Sequence, residues 1–176
     1  MTRVKILAIP GSLRAQSSNL SLLRAAAEEA PPGVEVVIWQ GLAELPHFNP
    51  DLDVEPAPPS VAAFRALLQG AKGVLISSPE YAHGVPGSLK NALDWLVSYP
   101  DFAGKPVVLW NASAAGGEHA QSSLIEILET MSARVSIADS LLKPFLRRKL
   151  APADELDPDA ARLIQRSLSA LAAAAE

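Results

Sequence analysis

Five short apolar runs recur along the chain, at Val4 to Ile9, Val34 to Trp39, Gly73 to Ser77, Pro106 to Trp110 and Arg134 to Ala138. Each is close to continuous rather than alternating, which predicts strands covered on both faces. The intervening segments Asn19 to Glu29, Ser60 to Gln69, Gly87 to Ser98 and Gly117 to Ser132 place apolar residues near the helical repeat. A last helix is predicted from about Asp157 to Ala175, where Asp157 can cap free amides and Pro158 suits the first helical position. Ile164, Leu168 and Leu171 then form its packing face.

Strict alternation of strand and helix predicts an α/β fold with parallel strands joined by right-handed crossovers. Five such units suit a flavodoxin-like three-layer arrangement, with a five-stranded parallel sheet in the order 2-1-3-4-5. At 176 residues the chain is the size of one domain, and residues 1–176 are expected to form one. The proline-rich stretch Pro46 to Ser60 then reads as a stiff loop rather than a linker.

In that order strands 1 and 3 are neighbours at the switch point, where open α/β sheets bind ligands beyond the strand ends. The segments following those two strands carry the densest chemistry. After strand 1, Gly11 allows a tight turn, and Ser12, Ser17, Ser18 and Asn19 surround the start of a helix whose unpaired amides attract anions. Arg14 adds a planar fork of donors suited to phosphate oxygens. The segment lacks the second glycine and lysine of a Walker loop, and it lacks the G-x-G-x-x-G pattern of dinucleotide sites. The reading is a mononucleotide phosphate; an ordinary helix cap with a solvated arginine is the alternative.

After strand 3, Pro79, Glu80, Tyr81, Ala82, His83 and Gly84 form a stiff loop with flat side chains and room for a planar ring, closed by Val85-Pro86-Gly87. The following helix sets Lys90, Asn91 and Asp94 on a polar side and Leu89, Leu93 and Leu96 inward. A third loop, Asn111 to Gly117, follows strand 4 and could wall the same pocket through Ser113.

Charge and composition narrow the field. Fifteen Lys and Arg against 19 Asp and Glu give a net charge of -4, which supplies no broad positive field for nucleic acid or an anionic membrane. With no cysteine, redox chemistry would have to come from a bound cofactor. His47, His83 and His119 have no metal-ligand spacing, and no metal is expected. A hydrolase triad is not supported, because G-x-S-x-G is absent. Arg147-Arg148-Lys149 reads as a solvated turn rather than a phosphate site, and Trp39, Trp95 and Trp110 as packing residues. The first apolar run is too short for a signal core or a membrane span, so a cytoplasmic chain is expected.

Two motifs in order, Gly11-Ser12-Leu13-Arg14 with Ser18-Asn19, and Pro79-Glu80-Tyr81 through Val85-Pro86-Gly87-Ser88-Leu89-Lys90-Asn91-Ala92-Leu93-Asp94-Trp95-Leu96, resemble the paired signatures of the NADPH-dependent FMN reductase family. That family includes quinone, azo-dye and chromate reductases. The resemblance implies FMN with its phosphate at Ser12, Arg14, Ser17, Ser18 and Asn19, its ring against Pro79 to Gly84, and a further contact at Ser113. It also implies NADPH or NADH as co-substrate, a small acceptor, and a homodimer or homotetramer with the flavin near a subunit interface. Ala82-His83 replaces the Asn and aromatic residue that many relatives carry, a departure that bears on the acceptor.

The implied chemistry is ping-pong hydride transfer from nicotinamide to flavin and on to the acceptor, which asks no catalytic side chain of the protein. A non-enzymatic FMN-binding carrier or sensor, and a flavin-free nucleotide-handling relative, are the competing readings.

Overall fold

Strand β1 (Val4–Pro10) is flanked on one side by β2 (Val34–Ile38) and on the other by β3 (Gly73–Ser77), both parallel to it. Next to β3 runs β4 (Pro106–Asn111). The computed structural model describes residues 3–112, 116–142 and 157–175.

The fifth strand position differs from its prediction as one run, Arg134 to Ala138. It is filled by two two-residue strands, β5 (Arg134–Val135) beside Pro106 and Val107, and β6 (Leu141–Leu142) beside Trp110 and Asn111. Ser136 to Ser140 supplies the reason. The Ser136 hydroxyl donates to Asp139 Oδ2 at 2.6 Å, and the Ser140 hydroxyl donates to the Ser136 carbonyl at 2.6 Å while accepting the Leu109 N–H at 3.0 Å. Short polar side chains thus compete with the ladder for backbone partners. The sheet is parallel throughout and follows the order 2-1-3-4-5, with two short strands sharing the last place.

Alternate residues of each strand feed opposite cores. Ile6, Ala8, Leu75, Val108 and Trp110 face α1 (Ser18–Glu28) and α5 (Pro158–Ala173), meeting Leu22, Leu23, Ile164 and Leu168. Leu7, Ile9, Val74, Ile76 and Leu109 share the other core with Phe64, Leu93 and Leu124, from α2 (Pro59–Gly70), α3 (Gly87–Asp94) and α4 (Glu118–Thr130). Burying each large side chain is worth about 1.5 to 3 kcal/mol, so both cores hold the layers to the sheet. The expectation of full cover fails at β2, whose five residues are all half-buried because it is an edge strand.

The start signal of the last helix is realised: Asp157 accepts the N–H groups of Asp159 and Ala160, with Pro158 in the first turn. Helix α3 stops earlier than its predicted end at Ser98. Beyond Asp94 the amides of Leu96, Val97 and Tyr99 each reach back three residues, tightening the chain into turns.

Trp95 and Trp110 are fully buried and Trp39 stacks on Phe64 at 3.9 Å, so the tryptophans pack as expected. Trp95 Nε1 donates to the Pro46 carbonyl at 2.8 Å, which also accepts from Asn91 Nδ2 at 3.0 Å. Asn91 Oδ1 accepts the Phe48 N–H at 2.8 Å. The Asn91 and Trp95 positions of the second motif therefore fasten the Pro46 to Phe48 segment to α3.

Candidate functional site

The carboxyl ends of β1, β3 and β4 are knitted edge to edge. Gly11 N–H donates to the Ser77 carbonyl at 2.8 Å and Ser78 N–H to the Trp110 carbonyl at 3.0 Å. A side chain on Gly11 would put Cβ within 2.9 Å of the Ser78 Cα, so this turn requires glycine by close approach. Among the described residues of this edge, two loops rise from adjacent strands as the sequence predicted.

In the first loop Arg14, Leu13 and Ala15 are exposed, while Ser17 and Asn19 are buried. Ser17 occupies the N-cap position of α1 but makes no side-chain cap hydrogen bond, and the first turn carries no acidic residue. A helix start without an internal cap or a local negative charge suits an anion. Arg14 sits beside it, its backbone N–H donating to the Ser12 hydroxyl at 3.2 Å. A cleft of about 120 Å³ flanks Arg14 on the β2 side, between Ser12 to Ala15 and Gln40 to Ala43.

Asn19 has a different task from its exposed neighbours. Its Oδ1 accepts the Ser77 hydroxyl at 2.9 Å and the Ala112 N–H at 3.0 Å, so one buried oxygen joins α1 to the ends of β3 and β4. Any ligand contact would have to come from its amide nitrogen.

The second loop turns sharply at Ala82 and His83, whose φ angles of 49° and 59° lie in the left-handed region. Tyr81 and Gly84 exchange backbone hydrogen bonds at 3.1 and 2.9 Å around that pair, giving a two-residue hairpin. Positive φ at both central residues is the primed-turn geometry that normally recruits Asn and Gly. The Tyr81 phenol meets the Ser12 hydroxyl at 3.0 Å, so the two loops touch at their tips. Pro79 is half-buried, and a methyl group at Gly84 would meet nothing closer than 3.6 Å, so no internal packing demands glycine there.

The Glu80 side chain turns to α4, which leaves its backbone to the ring contact that the sequence suggests. Its Oε2 accepts the Ala120 N–H at 2.9 Å in the first turn of that helix, whose N-cap, Gly117, has no side chain to do so. Its Oε1 lies 3.3 Å from His83 Nδ1. The His83 and His119 rings meet edge to face with centroids 4.4 Å apart. Next to them, Glu118 accepts the Gly117 N–H at 3.0 Å, a bond that holds its carboxyl below the usual range.

Sequence spacing missed this cluster, because Glu80 and Ala120 are 40 positions apart. Only the predicted adjacency of strands 3 and 4 hinted at it. No group of three or more His, Cys, Asp or Glu among the described residues could hold a metal ion. No described helix is long and apolar enough to cross a membrane. Ser113 and the Arg147 to Lys149 run lie outside the described residues.

Comparison with known proteins gives the family and the fold. The chain is similar to the quinone reductase of Escherichia coli (strain K12), with 34% identity over 155 residues, covering 85% of this chain and 82% of that one. It is similar to an NAD(P)H-dependent FMN reductase of Pseudomonas aeruginosa, with 33% identity over 173 residues, covering 96% and 93%. Among solved structures, the flavoenzyme NAD(P)H:(acceptor) oxidoreductase FerB from Paracoccus denitrificans superposes with a TM-score of 0.84 at 25% identity, covering 97% and 96%. The family model described as NADPH-dependent FMN reductase matches residues 4–142, which span both loops and every strand of the sheet. The chain belongs to the NADPH-dependent FMN reductase family.

Proposed function

We propose that this chain is an FMN-dependent NAD(P)H oxidoreductase that passes hydride by a ping-pong route to a small acceptor such as a quinone, flavin, azo compound or metal oxyanion. The observation that carries the reading is the uncapped, acid-free start of α1 beside exposed Arg14, one strand away from the hairpin at Tyr81 to Gly84. That arrangement fits the phosphate and the ring of a flavin mononucleotide. The relatives, a quinone reductase and an NAD(P)H-dependent FMN reductase, support the same cofactor and donor.

In this reading Arg14, Ser12 and the amides of Ser17 and Ser18 hold the phosphate. Ser113 is an additional contact from the resemblance. The backbone from Pro79 to Gly84 holds the ring. FMN, when bound, supplies two-electron chemistry that the side chains cannot. The protein's part is to anchor the tail, support one face of the ring and leave the other reachable. Leu13 and Tyr81, 58% and 53% exposed, form an apolar rim at the loop tips. This rim supports assembly as a homodimer or homotetramer with a partner chain closing the site.

The test is FMN titration by flavin fluorescence, followed by anaerobic reduction with NADPH and with NADH and a panel of acceptors. Saturable FMN binding, bleaching by nicotinamide and initial-rate lines that stay parallel at varied acceptor are expected. A chain that binds FMN yet is inert to both nicotinamides would instead be a carrier or sensor, and one that binds none would overturn the proposal.

A further inference from the structure

Hydride reduction of a quinone leaves one proton to be found. The hydride brings two electrons and one hydrogen nucleus, so the product is a hydroquinone monoanion until its second oxygen is protonated. A side chain able to supply that proton must sit on a loop at the site, exchange with water and present a fixed nitrogen or oxygen.

His83 meets those conditions. It occupies the tip of the hairpin between β3 and α3, held at a positive φ of 59° that a non-glycine residue rarely adopts. Its side chain is 77% exposed, and Nδ1 faces Glu80 Oε1 at 3.3 Å. Glu80 is itself fixed, because its other oxygen is bound by the Ala120 N–H. The ring is further backed edge to face by His119 from α4. A carboxylate on one imidazole nitrogen sets the tautomer and leaves the other nitrogen to exchange protons. Next to His119 in the chain, the Glu118 carboxylate is engaged by the Gly117 N–H.

We infer that His83 is the proton donor to the reduced acceptor and that Glu80 is its positioning residue. This rests on the proposed oxidoreductase function and adds an acid that the reading from sequence left out. Atoms and charge balance. NAD(P)H supplies the hydride and leaves as NAD(P)+. The imidazolium form of His83 gives up its Nε2 proton as an O–H bond forms on the hydroquinone monoanion, and the neutral imidazole left, its proton on Nδ1 facing Glu80, takes a new Nε2 proton from water.

The test uses the FMN-loaded full chain with 1,4-benzoquinone, which needs the proton, and ferricyanide, a one-electron acceptor that needs none. His83→Gln should lower the quinone-to-ferricyanide rate ratio by about a hundredfold or more, the low end of general-acid effects. Glu80→Gln keeps an oxygen for Ala120 but removes the anion, so it should lower the ratio less. Nitrogen NMR of the FMN-free chain gives a readout independent of turnover. Neutral His83 should carry its proton on Nδ1, and Glu80→Gln should shift the ring toward the other tautomer.

An unchanged ratio in His83→Gln, or an equal fall with both acceptors, overturns the inference while leaving the oxidoreductase reading in place. A chain that takes up no FMN overturns both.

Discussion

The side-chain carbonyl of Asn19 accepts the Ser77 hydroxyl at 2.9 Å in a pocket closed to solvent. The same oxygen takes the Ala112 N–H, so α1 is fixed to two strand ends at the floor of the site. Replacing Asn19 with Ala leaves two buried donors without this acceptor and should cost about 1 to 3 kcal/mol of stability by denaturant unfolding. Asn19→Asp keeps the acceptor but adds negative charge beneath the phosphate loop. It should retain more stability than Asn19→Ala while weakening FMN binding; equal FMN affinity in Asn19→Asp and the parent chain would place the phosphate elsewhere.

Arg14 is exposed in the loop before α1. Arg14→Ala should weaken FMN retention by about 1.5 to 3 kcal/mol, the worth of a charge-assisted hydrogen bond, with little change in the unfolding midpoint of the FMN-free chain. Fluorescence titration measures the first and thermal unfolding the second.

Away from the site, Arg65 Nη2 donates to Asp53 Oδ1 at 2.8 Å and to the Trp95 carbonyl at 2.6 Å. The Ser98 hydroxyl donates to the other Asp53 oxygen. The Ser98 bond, and then the Arg65 pair, hold the Asp53 carboxyl below its ordinary range. The unfolded chain therefore binds more protons at Asp53 across that interval, and stability falls as pH drops through the folded-state value. Asp53→Ala should destabilise by about 1 to 3 kcal/mol near neutral pH. Its gap to the parent should narrow in acid, as urea melts at a series of pH values would reveal; a gap independent of pH would deny the carboxylate this role.

Ala82 has a φ of 49° in a primed turn that favours Asn at this place. Ala82→Asn should raise the stability of the FMN-free chain by roughly 0.5 to 1 kcal/mol, because left-handed backbone is costly for alanine and easier for asparagine. Differential scanning calorimetry would detect the upward shift in Tm.

The sheet order and both loops were legible because strand runs and loop chemistry are local. Gly73 to Ser77 was bounded without error, and the cap at Asp157 followed from two adjacent residues. The rest depended on partners distant in the chain. Nothing near Ser140 announces that its hydroxyl will take the Leu109 amide and split the fifth strand position. Likewise Glu80 reads as a loop acid until the fold brings the first turn of α4 beside it. Asn19 shows the same limit inside a motif, since a polar residue before a helix gives no sign of which of its atoms faces inward.

The family match ends at Leu142, yet α5 begins only at Pro158. The Trp110 indole N–H donates to Ser167 on that helix at 3.0 Å, and the Ser167 hydroxyl donates to the Asp139 carbonyl at 2.6 Å. A shortened polypeptide ending at the family boundary would uncover one flank of β4 and strip the indole of its acceptor. The cooperative folding unit thus reaches further along the polypeptide than the stretch that the family model spans.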